Sequence, residues 1–214
     1  MPMRPIKLLT FAVLAIFAVF CWVAPATAAE SANIEAIAGI LLDKQMSPSR
    51  RIKAAKILGT FDDPRAIEAL VRSLEVSGEP VRDVVIEVLR RGKGVEVLAA
   101  RAVNENLSLD ERVLAVKGLR TMQNPIGFPA LKQLLGSPVD QLRLEAAWAL
   151  SMAGAATAEA ELIRALDDPN KDVRYFVADA LGRVKSPAAK TALENRKKVE
   201  TDPAVVHVLQ QATR

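Results

Sequence analysis

The chain has 214 residues, half of them hydrophobic and a quarter charged, with aromatics at only 4%. An apolar share that large supports a continuous core and excludes a disordered chain, and the shortage of aromatics beside abundant Ala and Leu favours close-packed helices over sheets. The formal net charge of +4 is too mild for a nucleic-acid footprint.

The first residues differ from the rest. Arg4 and Lys7 precede an uncharged apolar stretch over 8–23, which ends in Ala24-Pro25-Ala26-Thr27-Ala28-Ala29. That order of basic, apolar and small-residue regions predicts a secretory signal peptide over 1–28, cleaved after Ala28 or, as second choice, after Ala29. The alternative is a retained anchor displaying the rest of the chain, against which the stretch of 16 residues is shorter than the roughly 20 of a spanning helix. Cys21, the only cysteine, follows the bulky Val19 and Phe20, which argues against lipidation. Cleavage therefore leaves a chain without thiols, so disulfides, thiolate catalysis and cysteine metal sites are excluded. It also removes Arg4 and Lys7, leaving 27 basic against 25 acidic residues. A periplasmic or secreted product is expected, with no membrane contact after cleavage and no nucleic-acid partner.

Residues 33–45, within a segment 29–46, read as an N-terminal capping helix. Five arginine-led segments follow, among them Arg51-Ile-Lys-Ala-Ala-Lys-Ile-Leu-Gly59, Arg143-Leu-Glu-Ala-Ala-Trp-Ala-Leu-Ser151 and Arg174-Tyr-Phe-Val-Ala-Asp-Ala-Leu-Gly182. Their leading arginines, Arg51, Arg82, Arg112, Arg143 and Arg174, are 31, 30, 31 and 31 residues apart. Apolar residues recur at helical spacing in each segment and again in second helices such as 64–74 and 158–166. Asp63-Pro64, Ser137-Pro138, Asp168-Pro169, Ser186-Pro187 and Asp202-Pro203 supply caps followed by prolines suited to a first helical turn. The unit is helix, turn, helix, turn, and a lone pair cannot bury its stripe, so units must stack. Repeats are expected near 47–78, 79–107, 108–137, 138–170 and 171–201, with a half repeat over 202–214.

The run Asp168-Pro-Asn-Lys-Asp-Val-Arg-Tyr-Phe-Val-Ala-Asp-Ala-Leu-Gly182 resembles the HEAT repeats of the phycobilisome-lyase-like class, an armadillo-type group. The likeness covers the chain from about Ser47 onward and implies an all-α, right-handed α-α superhelix of about five helix pairs with a capping helix at each end. Arg90 and Arg120 occupy the Gly slot in the second and third units, where helix ends are expected to turn less tightly. The resemblance implies three functions: scaffolds, bilin lyases, and deoxyhypusine-type hydroxylases that hold iron with repeated His-Glu pairs. A single histidine, His207, cannot supply those pairs, and a secretory signal conflicts with a cytosolic lyase.

No catalytic, cofactor-binding or metal-binding residue is assigned. Asp168, Asn170, Asp172 and Asp179 match calcium-loop positions, but Val173 stands where such a loop needs Gly. His207 has no second ligand, and Arg90-Arg91-Gly92-Lys93-Gly94 lacks phosphate-loop spacing. Arg196-Lys197-Lys198 suits a helix end. The five leading arginines are read as a structural ladder, with Arg174 pairing Asp168. The concave face is expected from the second helices, where Arg72, Gln133, Arg164 and Asn195 form a polar row for a protein partner. The expected function is an exported, non-enzymatic interaction scaffold; a lyase-like or cofactor-maturation enzyme is the alternative.

Overall fold

The computed structural model describes residues 31–153 and 156–214, and every regular element among them is helical. The expected signal peptide, its cleavage site and Cys21 lie outside the described residues. Helix α1 covers described residues 31–42. It stops before the expected 45 because the Asp43 carboxylate accepts the Gln45 amide at 2.8 Å, a local bond that competes with helix.

Five helix pairs follow: α2 (Pro48–Leu58) with α3 (Pro64–Val76), α4 (Val81–Arg91) with α5 (Gly94–Val103), and α6 (Leu109–Met122) with α7 (Phe128–Leu134). The fourth and fifth are α8 (Asp140–Ala153) with α9 (Glu159–Ala165) and α10 (Lys171–Val184) with α11 (Pro187–Lys197); α12 (Pro203–Ala212) closes the stack. Short 3-10 turns over Pro125–Gly127 and Ala156–Ala158 lead into α7 and α9.

Side-chain caps explain several helix starts. Asp63, Ser186 and Asp202 accept amides of the first turn, with Pro64, Pro187 and Pro203 at the first helical position. Pro48 opens α2 in the same way. Pro138 and Pro169 instead lie in the turns ahead of α8 and α10, and Asn170 caps α10 through the Asp172 amide. Ser108 and Glu111 form a reciprocal capping box at α6. Arg90 and Arg120 sit inside α4 and α6, which run on past them to Arg91 and Met122.

The core is one continuous cluster of Leu, Val, Ile and Ala from Ile34 to Leu209. Small residues set its spacing: Ala146, Ala147 and Ala149 of α8 and Val177, Ala178 and Ala180 of α10 are all buried. At Gly182 a Cβ would stand 2.7 Å from that of Ala212, so only glycine permits α10 and α12 to approach this closely.

First helices pack broadly on their successors, α6 on α8, α8 on α10 and α10 on α12, whereas α9 and α11 meet narrowly. The second unit is irregular: α4 packs little on α6, and α6 instead lies against α5 and α3.

Candidate interaction face on the first helices

Three successive first helices contribute one side-chain cluster. Trp148 of α8 stacks on Phe176 of α10, with ring centroids 5.4 Å apart, and Tyr175 meets Phe176 edge-on at 5.3 Å. The Arg120 guanidinium of α6 sits 3.5 Å over the Trp148 ring. It also donates to Glu145 Oε2 at 2.6 Å, fixing it from the other side. Burial lowers the Arg120 pKa, opposed by the charges of Glu145 and Glu75, so this cation is held in a partly dry place. Trp148 (37% exposed), Tyr175 (38%) and Met152 (43%) nevertheless remain open to solvent. The result is a fixed aromatic surface with little left to order when a ligand arrives.

The arginine-led motif made this cluster findable. Trp148 and Phe176 stand five and two residues after Arg143 and Arg174, inside the segments used to define the repeat. Reading those segments as core alone hid it.

The four residues expected to contact a partner are all exposed. Gln133 and Arg164 flank an open groove of about 580 Å³ between α7 and α9. Arg72 lines another cleft, with Glu68, Glu75 and Lys117. Asn195 accepts a bond from Lys198 at 3.1 Å.

The repeat arginines bond as follows. Arg51 donates to the Leu41 carbonyl at 2.8 Å and to Ser77 Oγ at 2.6 Å. Arg143 grips Asp168 through Nε at 2.6 Å and Nη2 at 3.2 Å. Arg174 grips Glu200 at 2.8 and 2.9 Å and reaches only the backbone carbonyl of Asp168. The expected Arg174–Asp168 ion pair is thus displaced, since Asp168 is already taken by Arg143. Arg82 and Arg112 bond only carbonyls, Leu74 at 3.4 Å and Ala102 at 3.1 Å.

The remaining candidates lie elsewhere. His207 bonds Gln211 at 2.9 Å on the exposed side of α12. Arg90 donates to the Met122 carbonyl, while Arg91 and Lys93 pair with Glu87 and Asp62. Arg196 joins Glu200 and Asp167. Asp179 of the calcium-like pattern pairs with Arg183.

A family model described as HEAT repeats matches residues 128–214, and one described as PBS lyase HEAT-like repeat matches 50–75. The chain is a HEAT-repeat protein. Solved structures agree on the fold: a computationally designed armadillo repeat protein for modular peptide recognition superposes with a TM-score of 0.60 at 14% identity, over 89% of this chain and 96% of that one. An engineered protein gives a TM-score of 0.58 at 19% identity, over 84% and 52%. Among curated HEAT-repeat relatives, a HEAT repeat-containing taxis protein of Halobacterium salinarum is 30% identical over 74% of this chain. Deoxyhypusine hydroxylase-B of Oryza sativa subsp. japonica is 27% identical over 84% of it. The chain spans only 36% and 59% of those two proteins' lengths. The hydroxylase overturns one expectation: a chain with an enzyme of this kind among its relatives is no longer read as a non-enzyme on its sequence.

Proposed function

We propose that this HEAT-repeat protein is an exported scaffold that binds an extended segment of a partner protein across α6, α8 and α10. The observation that carries this is the exposed Trp148 and Tyr175, held in place by Arg120, Glu145 and Phe176, with Met152 exposed four residues after Trp148 on the same helix. Rigid aromatics of this sort bury large area at small entropic cost and dominate binding energy at protein interfaces. The designed armadillo neighbour, made for peptide recognition, supports the use of such a stack in this way. Export is supported by the charged, apolar and small-residue regions before Ala28, and repeats are taken to begin at 47.

An array of 12-residue peptides from envelope proteins, read by Trp148 emission, tests the binding. Peptides that shift the emission and are lost in Tyr175→Ala with Met152→Ala are expected. Binding abolished instead by Gln133→Glu with Arg164→Glu refutes the assignment. Intact mass of the exported chain tests cleavage: a start at Glu30 or Ala29 is expected, and a start at Met1 makes the chain an anchored scaffold.

A catalytic reading stands beside this one, carried by the identity to deoxyhypusine hydroxylase-B. Its test is turnover of deoxyhypusine by the purified chain.

A further inference from the structure

At the N-terminal end of the described residues, α2 lacks the neighbour that α8 finds in α6 and α10 finds in α8. Two residues after the leading arginine, α8 and α10 each turn a side chain to the first helix before them. In α8 this is Glu145, which takes Arg120 of α6; in α10 it is Phe176, which stacks on Trp148 of α8. The same position in α2 is Lys53, and no first helix precedes it among the described residues. Helix α1 covers the end only in part. It buries Ile34 and Leu41 but leaves a groove of about 330 Å³ against α2, lined by Ile37, Ile40, Met46, Arg50, Lys53 and Ile57.

The charge at this groove is one-sided. Elsewhere in the stack cations and anions meet, as in Arg120–Glu145, Arg143–Asp168 and Arg174–Glu200. Arg50 reaches only the sulfur of Met46 at 4.0 Å, and Lys53 and Lys56 meet no carboxylate among the described residues. Ile40 and Ile57 are 38% and 37% exposed beside them. The position just before the leading arginine holds the buried Val81, Leu142 and Val173 in the second, fourth and fifth units and the partly exposed Glu111 in the third, but in α2 it holds the exposed Arg50.

We propose that this groove receives an amphipathic helix of a partner protein, carrying an apolar stripe for Ile37, Ile40 and Ile57 and carboxylates for Arg50 and Lys53. The helix takes the place of a preceding first helix, which the described residues do not supply, so its axis runs alongside α2 as α8 runs alongside α10. The Glu145–Arg120 pair supplies the precedent for its polar contact, with the signs exchanged. Its shape is that of helix-in-groove recognition, in which residues at i, i+3, i+4 and i+7 provide the anchors. This surface uses elements separate from those of the aromatic face, so the two sites are independent.

The test uses the chain from Ala29 onward and two 18-residue peptides with the same leucine stripe, one flanked by Glu and one by Lys. Chemical-shift titration is expected to place the Glu peptide at Ile40 and Ile57, binding at least tenfold tighter than the Lys peptide. Arg50→Glu with Lys53→Glu, both exposed and so compatible with folding, should invert that preference. Ile40→Ser should weaken both peptides. Equal binding of the two peptides, binding of neither, or a preference unchanged by the charge reversal overturns the proposal. Vesicles of phosphatidylglycerol and phosphatidylethanolamine run in parallel: attachment to them through Arg50 and Lys53 without peptide binding assigns the surface to lipid and overturns it as well.

Discussion

Replacing Glu200 by Gln removes one buried charge at nearly constant shape, and the surroundings of the carboxylate set the size of the effect. It accepts Arg174 at 2.8 and 2.9 Å, Arg196 at 3.0 and 2.8 Å, and the Thr201 and Asp202 amides at 3.0 Å. Burial alone would raise its pKa; Arg174, the Asp202 amide, Arg196 and the Thr201 amide together reverse this and hold it at about 2, against 4.5 for a free side chain. Since the folded value is the lower one, the unfolded chain takes up the proton first as pH falls. The contribution of Glu200 is therefore complete above pH 4.5 and is lost between there and pH 2. Such a gap corresponds to roughly 3 kcal/mol. A chain cut after Ala28 keeps Trp148 as its only tryptophan, and that ring rests on Phe176 of α10, so its emission reports unfolding of the region Glu200 stabilises. Urea unfolding at pH 7 should place the Glu200→Gln variant roughly 3 kcal/mol below the parent, with the difference closing toward zero near pH 2. A difference that stays constant over that range would falsify the account of how this carboxylate is held.

Other substitutions test other parts of the stack. Arg143→Ala strands the buried Asp168 carboxylate and should cost about 3–5 kcal/mol in urea unfolding; a loss under 1 kcal/mol, the value of an exposed pair, would contradict the geometry. Gly182→Ala forces a methyl onto Ala212 and should cost about 1–3 kcal/mol, seen first as faster amide exchange in α12. Ser108→Ala opens the capping box of α6 and should lower stability by about 1 kcal/mol; no change would mean that Glu111 alone secures that helix end.

Much of the fold was written in periodic features. The 31-residue spacing of the arginines and the paired apolar stripes define helix pairs, because stacking demands the same buried positions in every unit. Capping side chains marked helix starts where the proline sits at the first position, as at Pro64, Pro187 and Pro203. They misplaced the starts of α8 and α10, since a cap-proline pair serves equally well in a turn ahead of the helix. The aromatic face was not legible, because Trp148 and Phe176 lie within the segments that define the repeat, and how far neighbouring helices cover their rings depends on the spacing between units, set by buried residues such as Ala147 and Val177 and by the close approach at Gly182. Nor could spacing foretell that Asp168 would go to Arg143 and leave Arg174 to Glu200.

The arginine bonds also grade the joints of the molecule. Arg51, Arg143 and Arg174 each fasten a helix to a polar side chain 25 or 26 residues further on, whereas Arg82 and Arg112 fasten only to backbone behind them. Together with the sparse packing of α4 on α6, this leaves one weak coupling in a one-dimensional array. An array of that kind parts at its weakest joint, so the protein should melt in two steps, with α1–α4 released before the block from α5 to α12. A segment held across that joint would lock the steps into one, and ligand binding would then register as a gain in cooperativity as much as in melting temperature.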